Sequence, residues 1–387
     1  MAGSCSAAMR LELTTFGSTR FRARRTESGG AGEADPWIGR YNGDMVRGGA
    51  HFSSEELVRV LSHYDVGIVH QVRPLEAGDR RAAKVVIKAD RGTFLLKRRP
   101  HGADEPARVK FAHVVQRHLT DKSFPVPQLL ETSTEGSTLL GLDRHIYELF
   151  HFVEGSRYDG SPEATREAGR QLAVFHCDLQ DLDAAGAPTE GCFHGDPTIR
   201  QNLTKLTSEK GTDPARRMQA VAEALLVRYD RSSGRIEKLG FDAWKRQVIH
   251  GDWHPGNLLF SDRKVQAVVD FDAIRISPAV TDLANGMLQF SIVGGYPNPA
   301  DWPAHFERDR MFEFLNGYQE VTRLGKRKRY GLIDLMIETM IAEAVLPVAA
   351  TGFFSHHSGV DFLQMILRKT RWLRLHRKEL RDVMMEE

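Results

Sequence analysis

Cysteine is scarce in this chain. Three cysteines in 387 residues (Cys5, Cys177, Cys192) are too few and too scattered for a disulfide framework or a zinc cluster, so a reducing, cytoplasmic setting is expected. Long apolar runs are missing too. No stretch of about 18 consecutive apolar residues occurs, which argues against a transmembrane helix. The opening residues lack the apolar core of a secretory signal, because Met1–Ala8 is short and Arg10 and Thr14 follow closely. Charge of one sign is absent as well. Basic residues number 53 and acidic residues 51, a formal net charge of +2, which gives no electrostatic reason for a nucleic-acid partner. Neither nucleic acid nor a membrane is therefore an expected partner, and the sequence leaves the oligomeric state open. No internal repeat of useful period is visible.

What is present is ordinary globular composition, 41% apolar and 27% charged, in a chain long enough for a core split into two lobes. Residues 1–50 stand apart. They are rich in Arg, Gly and Ser without a sustained period, and are expected to be a disordered tail or a mis-assigned start, with Met45 as the true one. An organelle presequence is the alternative, since Arg20, Arg22, Arg24 and Arg25 cluster there; Glu27, Glu33 and Asp35 argue against it.

Ordered structure is expected from His51. Ser53 with Glu56 makes a capping box for a helix over Leu57–Ser62. Strand-like runs follow at Val66–Leu75, Lys84–Ala89 and Thr93–Arg98, the last two flanking the hairpin signal Asp90-Arg91-Gly92. Phe111, Val114, Val115, His118 and Leu119 have helical spacing. Two further strands are expected at Gln128–Glu131 and His145–Phe152. Beyond Gly155 helical periods dominate, over Ala164–Leu179, Pro214–Tyr229, Phe241–Val248 and Trp302–Tyr318, and in two long segments from Leu332 and from Val360. The one clear strand pair of that half is Asn257–Ser261 with Val265–Phe271. A β-rich first part before an α-rich second part excludes alternating βαβ units. The expected division is a tail over 1–50, an N-lobe over 51–152 and a C-lobe over 153–387.

The chemistry concentrates in His250-Gly251-Asp252-Trp253-His254-Pro255-Gly256-Asn257. Phosphoryl transfer needs a carboxylate for the attacking hydroxyl, oxygen ligands for Mg²⁺ and a cation on the non-transferred phosphates. Asp252 and Asn257 have the D-x-x-x-x-N spacing of a kinase catalytic loop, with a His two residues before the Asp. Asp252 is then the base and Asn257 a metal ligand. The strand Val265–Val269 returns Asp270 beside Asn257, and Asp270-Phe271-Asp272 occupies the place of a metal-binding Asp-Phe-Gly.

The run VIHGDWHPGNLLF, then VVDFDAI, then Ser277-Pro278 and Thr281-Asp282-Leu283-Ala284, resembles the aminoglycoside phosphotransferase and choline kinase-like superfamily, nearest to its homoserine kinase-like and spore-coat-kinase-like branches. The resemblance is sharp over about 248–285 and diffuse over about 60–385. It implies an α+β, bilobal protein kinase-like fold with ATP and Mg²⁺ as cofactors, Asp252 as catalytic base and Asn257 and Asp270 on Mg²⁺. It implies that Asp272 assists a second metal, and that His250 and Asp282 are structural supports of the loop.

The nucleotide half is less distinctive. Lys97 sits on the strand where such an enzyme carries its phosphate-contacting Lys, with Lys84 and Lys88 as rivals. The loop over the phosphates would be Glu76–Arg81, with Gly78 as its one glycine. The adenine would lie against the backbone of Phe150–Val153, at Phe152 and Val153. The helix after Lys97 has no Glu or Asp between Pro106 and Thr120, leaving Glu105, His113 and Gln116 as candidate partners for it. His194-Gly195-Asp196 repeats the HGD triplet, but its Asn202 is one residue too far and no Asp-Phe-Asp strand follows, so it is read as coincidence or a substrate-side loop. Glu343, in the apolar stretch Glu343–Phe354, is a candidate to meet an amine of the acceptor.

The expectation is an ATP-dependent phosphotransferase acting on a small-molecule hydroxyl acceptor of the homoserine, amino alcohol, sugar or aminoglycoside class. A protein Ser/Thr kinase is the alternative, but Asp282 follows Asp270 by only 12 residues (282 − 270), which leaves no room for an activation loop. A catalytically inactive nucleotide-binding scaffold is the other.

Overall fold

Ser53 starts the ordered chain as its capping signal requires. In a computed structural model, which describes residues 51–75, 82–188, 193–208 and 213–386, the Ser53 hydroxyl accepts a hydrogen bond from Glu56 N at 3.0 Å and α1 runs Ser54–Leu61. The expected phosphate loop Glu76–Arg81, with Gly78, lies outside the described residues, as do residues 1–50.

The described chain divides into two units. Residues 51–113 and 127–153 form the first, residues 114–126 and 154–386 the second. In the first unit, β1 (Val69–Pro74), β2 (Ala83–Ala89), β3 (Gly92–Arg98), β4 (Leu140–Leu142) and β5 (His145–His151) form one antiparallel sheet of order β1-β2-β3-β5-β4. Val85, Ile87, Phe94, Leu96, Tyr147 and Leu149 of its strands bury against Val60 and Leu61 of α1. The segment expected as a strand at Gln128–Glu131 makes only one bridge, Leu129 to Phe150. It is too short to form a ladder between Pro127, which has no N–H, and the turn that follows. The sheet's edge is instead β4, whose Leu-Gly-Leu shows no alternation from sequence.

Helix α2 (Pro106–Asp121) follows β3, and the division between units falls within it. The residues after it belong with the second unit: Phe124 packs on Phe175, with ring centroids 5.7 Å apart, and Val268 N donates to Pro125 O at 2.8 Å.

The second unit is mostly helical: α3 (Pro162–Asp178), α4 (Pro197–Thr207), α5 (Asp213–Lys238), α6 (Ala279–Ser291), α7 (Arg308–Val321), α8 (Lys326–Thr351) and α9 (Gly359–Glu386). Short strand pairs carry the loops that matter. β6 (Arg246–Ile249) pairs with β9 (Arg275–Pro278), β7 (Leu258–Ser261) with β8 (Lys264–Val268), and the two-residue β10 (Phe353–Phe354) with β11 (His357–Ser358). The helix expected over Phe241–Val248 is not formed. Phe241, Trp244 and Val248 have helical spacing and are all buried, but in a single turn, Phe241–Ala243, followed by β6. Gly240, left-handed at φ 81°, has already ended α5. Helix α6 has its apolar residues at helical spacing, Val280, Leu283, Ala284, Met287 and Leu288, and its polar stripe of Asp282, Asn285 and Gln289 is buried as well. Among the described residues no helix is long and apolar enough to cross a membrane.

Helices α3 and α7 approach through two glycines. A Cβ on Gly169 would overlap the Phe314 carbonyl, and one on Gly317 the Arg166 carbonyl. Gly317→Ala must therefore separate the helices. It is expected to lower unfolding free energy by about 1–3 kcal/mol, read as a reduced urea midpoint at unchanged slope. An unchanged midpoint would show that the two backbones are not in contact.

Candidate active site

Strand β6 delivers His250, Gly251 and Asp252 to its end. The turn there is held from below by Asp282, in the first turn of α6 and 1% exposed. Its Oδ2 accepts from His250 N at 2.8 Å and its Oδ1 from Gly251 N at 2.9 Å. His176, at the end of α3, puts Nε2 3.2 Å from Asp282 Oδ2, and its Nδ1 lies 2.9 Å from the Tyr318 hydroxyl. Burial alone would raise the Asp282 pKa; the His176 bond and the His176, His250 and Arg275 charges hold it below the usual carboxylate range. Gly251 is left-handed at φ 80°, and a Cβ there would overlap the Ala273 carbonyl, so the turn admits only glycine.

The His250 ring joins two strands of backbone. Its Nδ1 accepts from Asp252 N at 3.3 Å, which makes Nε2 the donor to Val269 O, also at 3.3 Å. Trp253, fully buried, anchors the loop in a cluster with Phe175 and His250, against which Phe271 also packs. His254 turns back over Asp252. Its Nδ1 accepts from Gly256 N at 2.9 Å, leaving Nε2 3.5 Å from Asp252 Oδ2.

Asn257 is 6% exposed and donates through Nδ2 to Asp252 O at 2.9 Å and to Asp252 Oδ2 at 3.1 Å. Both amide hydrogens are engaged, which reserves the amide oxygen as an acceptor or cation ligand. Val269 N donates to Asn257 O at 2.9 Å, so Asp270 arrives beside Asn257 through the backbone. Asp270 itself is left-handed, φ 66°, an uncommon conformation outside glycine. Asp272 lies two residues on, half-buried in the turn Phe271–Ala273. Burial would raise the Asp252 pKa, but His254, His250 and the Asn257 amide bring it down to about 2.

Glu343 of α8 joins this group. Its Oε2 accepts from Gln289 Nε2 of α6 at 2.9 Å. Burial first, and then the Asp252 charge, push its pKa up to about 8 against the opposing pull of His254 and Arg275. Arg275 donates to Gly251 O at 3.3 Å and to Ala273 O at 3.2 Å. His254, Gln289 and Arg275 carried no role in the sequence reading. His254 could have been found, standing two residues after Asp252; Gln289 required knowing that α6 exists.

The second HGD triplet has a structural use. Asp196 is the N-cap of α4, its Oδ1 accepting from Thr198 N at 2.8 Å, and His194 Nδ1 lies 2.8 Å from Glu338 Oε2.

In the first unit, Lys97 lies on β3, directly paired with Lys84 on β2; Lys88 is exposed. Phe152 N donates to Thr93 O at 2.9 Å, and the Arg73 guanidinium lies 5.6 Å from the Phe152 ring centre. The Phe152 amide is thus committed to the sheet, so a nucleotide base would use its carbonyl or the Val153 amide.

Among the described residues no group of three His, Cys, Asp or Glu side chains converges to hold a metal. Mg²⁺ does not need one, since it keeps waters and substrate phosphates and takes one or two protein oxygens. The Asn257 amide oxygen and the Asp270 carboxylate suit that requirement, being hard donors on two segments joined by the Val269 backbone bond.

A family model described as the phosphotransferase enzyme family matches residues 71–320. No curated protein matches the sequence. Among solved structures, an aminoglycoside phosphotransferase from Alicyclobacillus acidocaldarius subsp. acidocaldarius is 15% identical, covering 90% of this chain and 99% of its own, with a TM-score of 0.63. A microcompartment-associated aminopropanol kinase is 16% identical over 85% of this chain and 98% of its own, TM-score 0.64. An amicoumacin kinase solved with AMP-PNP, Ca²⁺ and amicoumacin is 14% identical over 86% of this chain and 94% of its own, TM-score 0.59. The α+β architecture, a sheet-rich N-terminal region before a helical C-terminal region, is that of these kinase-like neighbours.

Proposed function

Because the chain belongs to the phosphotransferase enzyme family, as an enzyme acting on alcohol groups, we propose that it transfers the γ-phosphate of ATP to a hydroxyl of a small metabolite, with Asp252 receiving the hydroxyl's proton. The observation that carries this reading is the arrangement of Asp252, Asn257 and Asp270, fixed by the Asn257 amide on one side and the Val269 backbone bond on the other. Asn257 and Asp270 would hold Mg²⁺, whose charge would offset that of the phosphates. Lys97 is assigned to the non-transferred phosphates, and Phe152 and Val153 to the adenine.

A carboxyl brought down to about 2 is a weak base. Its main work is to orient the acceptor hydroxyl and accept the proton late, as the phosphoryl group is already departing. The neighbouring solved kinases with small acceptors support a small molecule here. Glu343 narrows its class: a carboxyl that shares a site with Asp252 is relieved by an ammonium, so we assign it to the amine of an amino alcohol or aminoglycoside.

The test is consumption of Mg·ATP by the full chain across amino alcohols, amino acids, sugars and aminoglycosides. Turnover confined to, or fastest with, amine-bearing acceptors is expected. Nucleotide binding without turnover on any of them would leave the scaffold reading instead.

Glu343 also predicts a pH signature. Its folded pKa of about 8 stands above the ordinary carboxyl value of 4.5, so folding takes up a proton between those values and stability falls as pH rises through that window. Glu343→Gln is therefore expected to gain unfolding free energy over wild type progressively from pH 5 to pH 8, at a slope of at most about 1.4 kcal/mol per pH unit, read by denaturant titration. A difference independent of pH would show that Glu343 ionises normally.

A further inference from the structure

Lys97 lacks the helix acid that would ordinarily be sought for it, since α2 offers no Glu or Asp between Pro106 and Thr120. The sheet supplies one. β3 pairs with β5 so that Lys97 stands directly opposite Glu148, while on its other side Lys97 pairs with Lys84. Directly opposed residues share a face, so Lys84, Lys97 and Glu148 form a row across three strands. Arg99, two residues past Lys97, points to that face too. It grips Glu148 by two bonds, Nε to Oε2 at 2.7 Å and the terminal nitrogen to Oε1 at 3.0 Å. Helix α2 reaches the same carboxylate through His113, whose Nε2 is 2.6 Å from Oε1 and whose Nδ1 is 2.8 Å from the Thr138 hydroxyl.

Glu148 has no exposure at all, Arg99 5% and His113 2%. A carboxylate so buried is retained only when paired. Burial would raise its pKa, yet the His113 bond and the Arg99 and Lys97 charges hold it far below the usual range. Glu148 thus faces Arg99 and, across the β3–β5 pair, Lys97.

We propose that Glu148 is the positioning residue of Lys97, taking from β5 the place of the missing helix acid, and that Arg99 and His113 clamp it there. This rests on the reading of Lys97 as the phosphate contact. The clamp gives α2 a part as well, because His113 links the helix to the carboxylate that steers the lysine.

The experiment compares wild type, Lys97→Ala, Glu148→Gln and the double variant, each checked for its melting temperature, by ATP affinity without acceptor and by steady-state kinetics. Glu148→Gln keeps the shape and one acceptor oxygen for Arg99. It is expected to raise the ATP KM by tenfold or more with the acceptor KM unchanged, and the double variant should lose no more ATP affinity than Lys97→Ala alone. Additive losses, or a Glu148→Gln protein with wild-type ATP KM, would overturn the proposal and leave Glu148 as a packing residue. If Glu148→Gln does not fold, Glu148→Asp serves the same readout: the charge stays but withdraws by one methylene, and an unchanged ATP KM refutes positioning. Wild type that binds no ATP would sink the phosphotransferase reading and this inference with it, whereas wild-type turnover with an indifferent Glu148 sinks this inference alone.

Discussion

Asp252→Asn is expected to lower phosphoryl transfer by about 10²–10⁴-fold while ATP affinity stays near wild type. The two side chains have the same shape, and an asparagine oxygen can still accept the Asn257 amide now 3.1 Å from Asp252 Oδ2. The backbone around position 252 is held by other groups: Asn257 Nδ2 also bonds the Asp252 carbonyl, and His250 Nδ1 accepts the Asp252 amide. What disappears is the negative charge alone, and with it the ability to receive the hydroxyl's proton. Single-turnover rates with Mg·ATP and the best acceptor measure the loss. More than a tenth of wild-type activity would show that Asp252 is not the base. The same substitution removes a charge that raises Glu343, so the pH dependence of stability assigned to Glu343 should move to lower pH in this variant.

The loop was readable because its residues are close in sequence and each is chemically constrained. Only glycine fits at 251, and the Asp252–Asn257 spacing is that of one tight turn. Ser53 with Glu56 was readable for the same reason, as a cap is a local bond. Legibility ends where the partners are joined through register. Glu148 stands opposite Lys97 only because β5 lies beside β3 after the chain has passed through α2 and β4, and no local pattern encodes that pairing. His113, one of the α2 candidates to face Lys97, lies instead 2.6 Å from Glu148 Oε1. Burial of polar residues is hidden as well. Helix α6 carries Asp282, Asn285 and Gln289 on one face, and the sequence pattern does not show that this polar stripe is buried with the rest of the helix. Phe241–Val248 shows a helical spacing produced by a turn and a strand that share one core.

Asp282→Ala is expected to cost about 3–5 kcal/mol of stability and to depress activity further than the loss of folded protein explains. Three groups depend on that carboxylate. The amides of His250 and Gly251 would be left buried without acceptors, at about 1–3 kcal/mol each, and His176 would lose its partner. Asp282→Asn separates these terms, since its one oxygen can accept one amide while its NH₂ cannot serve the other. It should fall between wild type and Asp282→Ala in denaturant midpoint. The pH dependence has a definite sign. The folded pKa of Asp282 is lowered from 3.8, so the ionised carboxylate stabilises the fold above that value, and the benefit is lost as pH falls through the folded pKa. The stability gap between wild type and Asp282→Asn should therefore be full at neutral pH and shrink in acid. Both variants should also lose kcat more than ATP affinity, because the left-handed Gly251 turn that aims Asp252 is held by the same two amide bonds. Equal midpoints for Asp282→Asn and Asp282→Ala would mean that neither amide bond contributes, and the brace would then be the His176 pair alone.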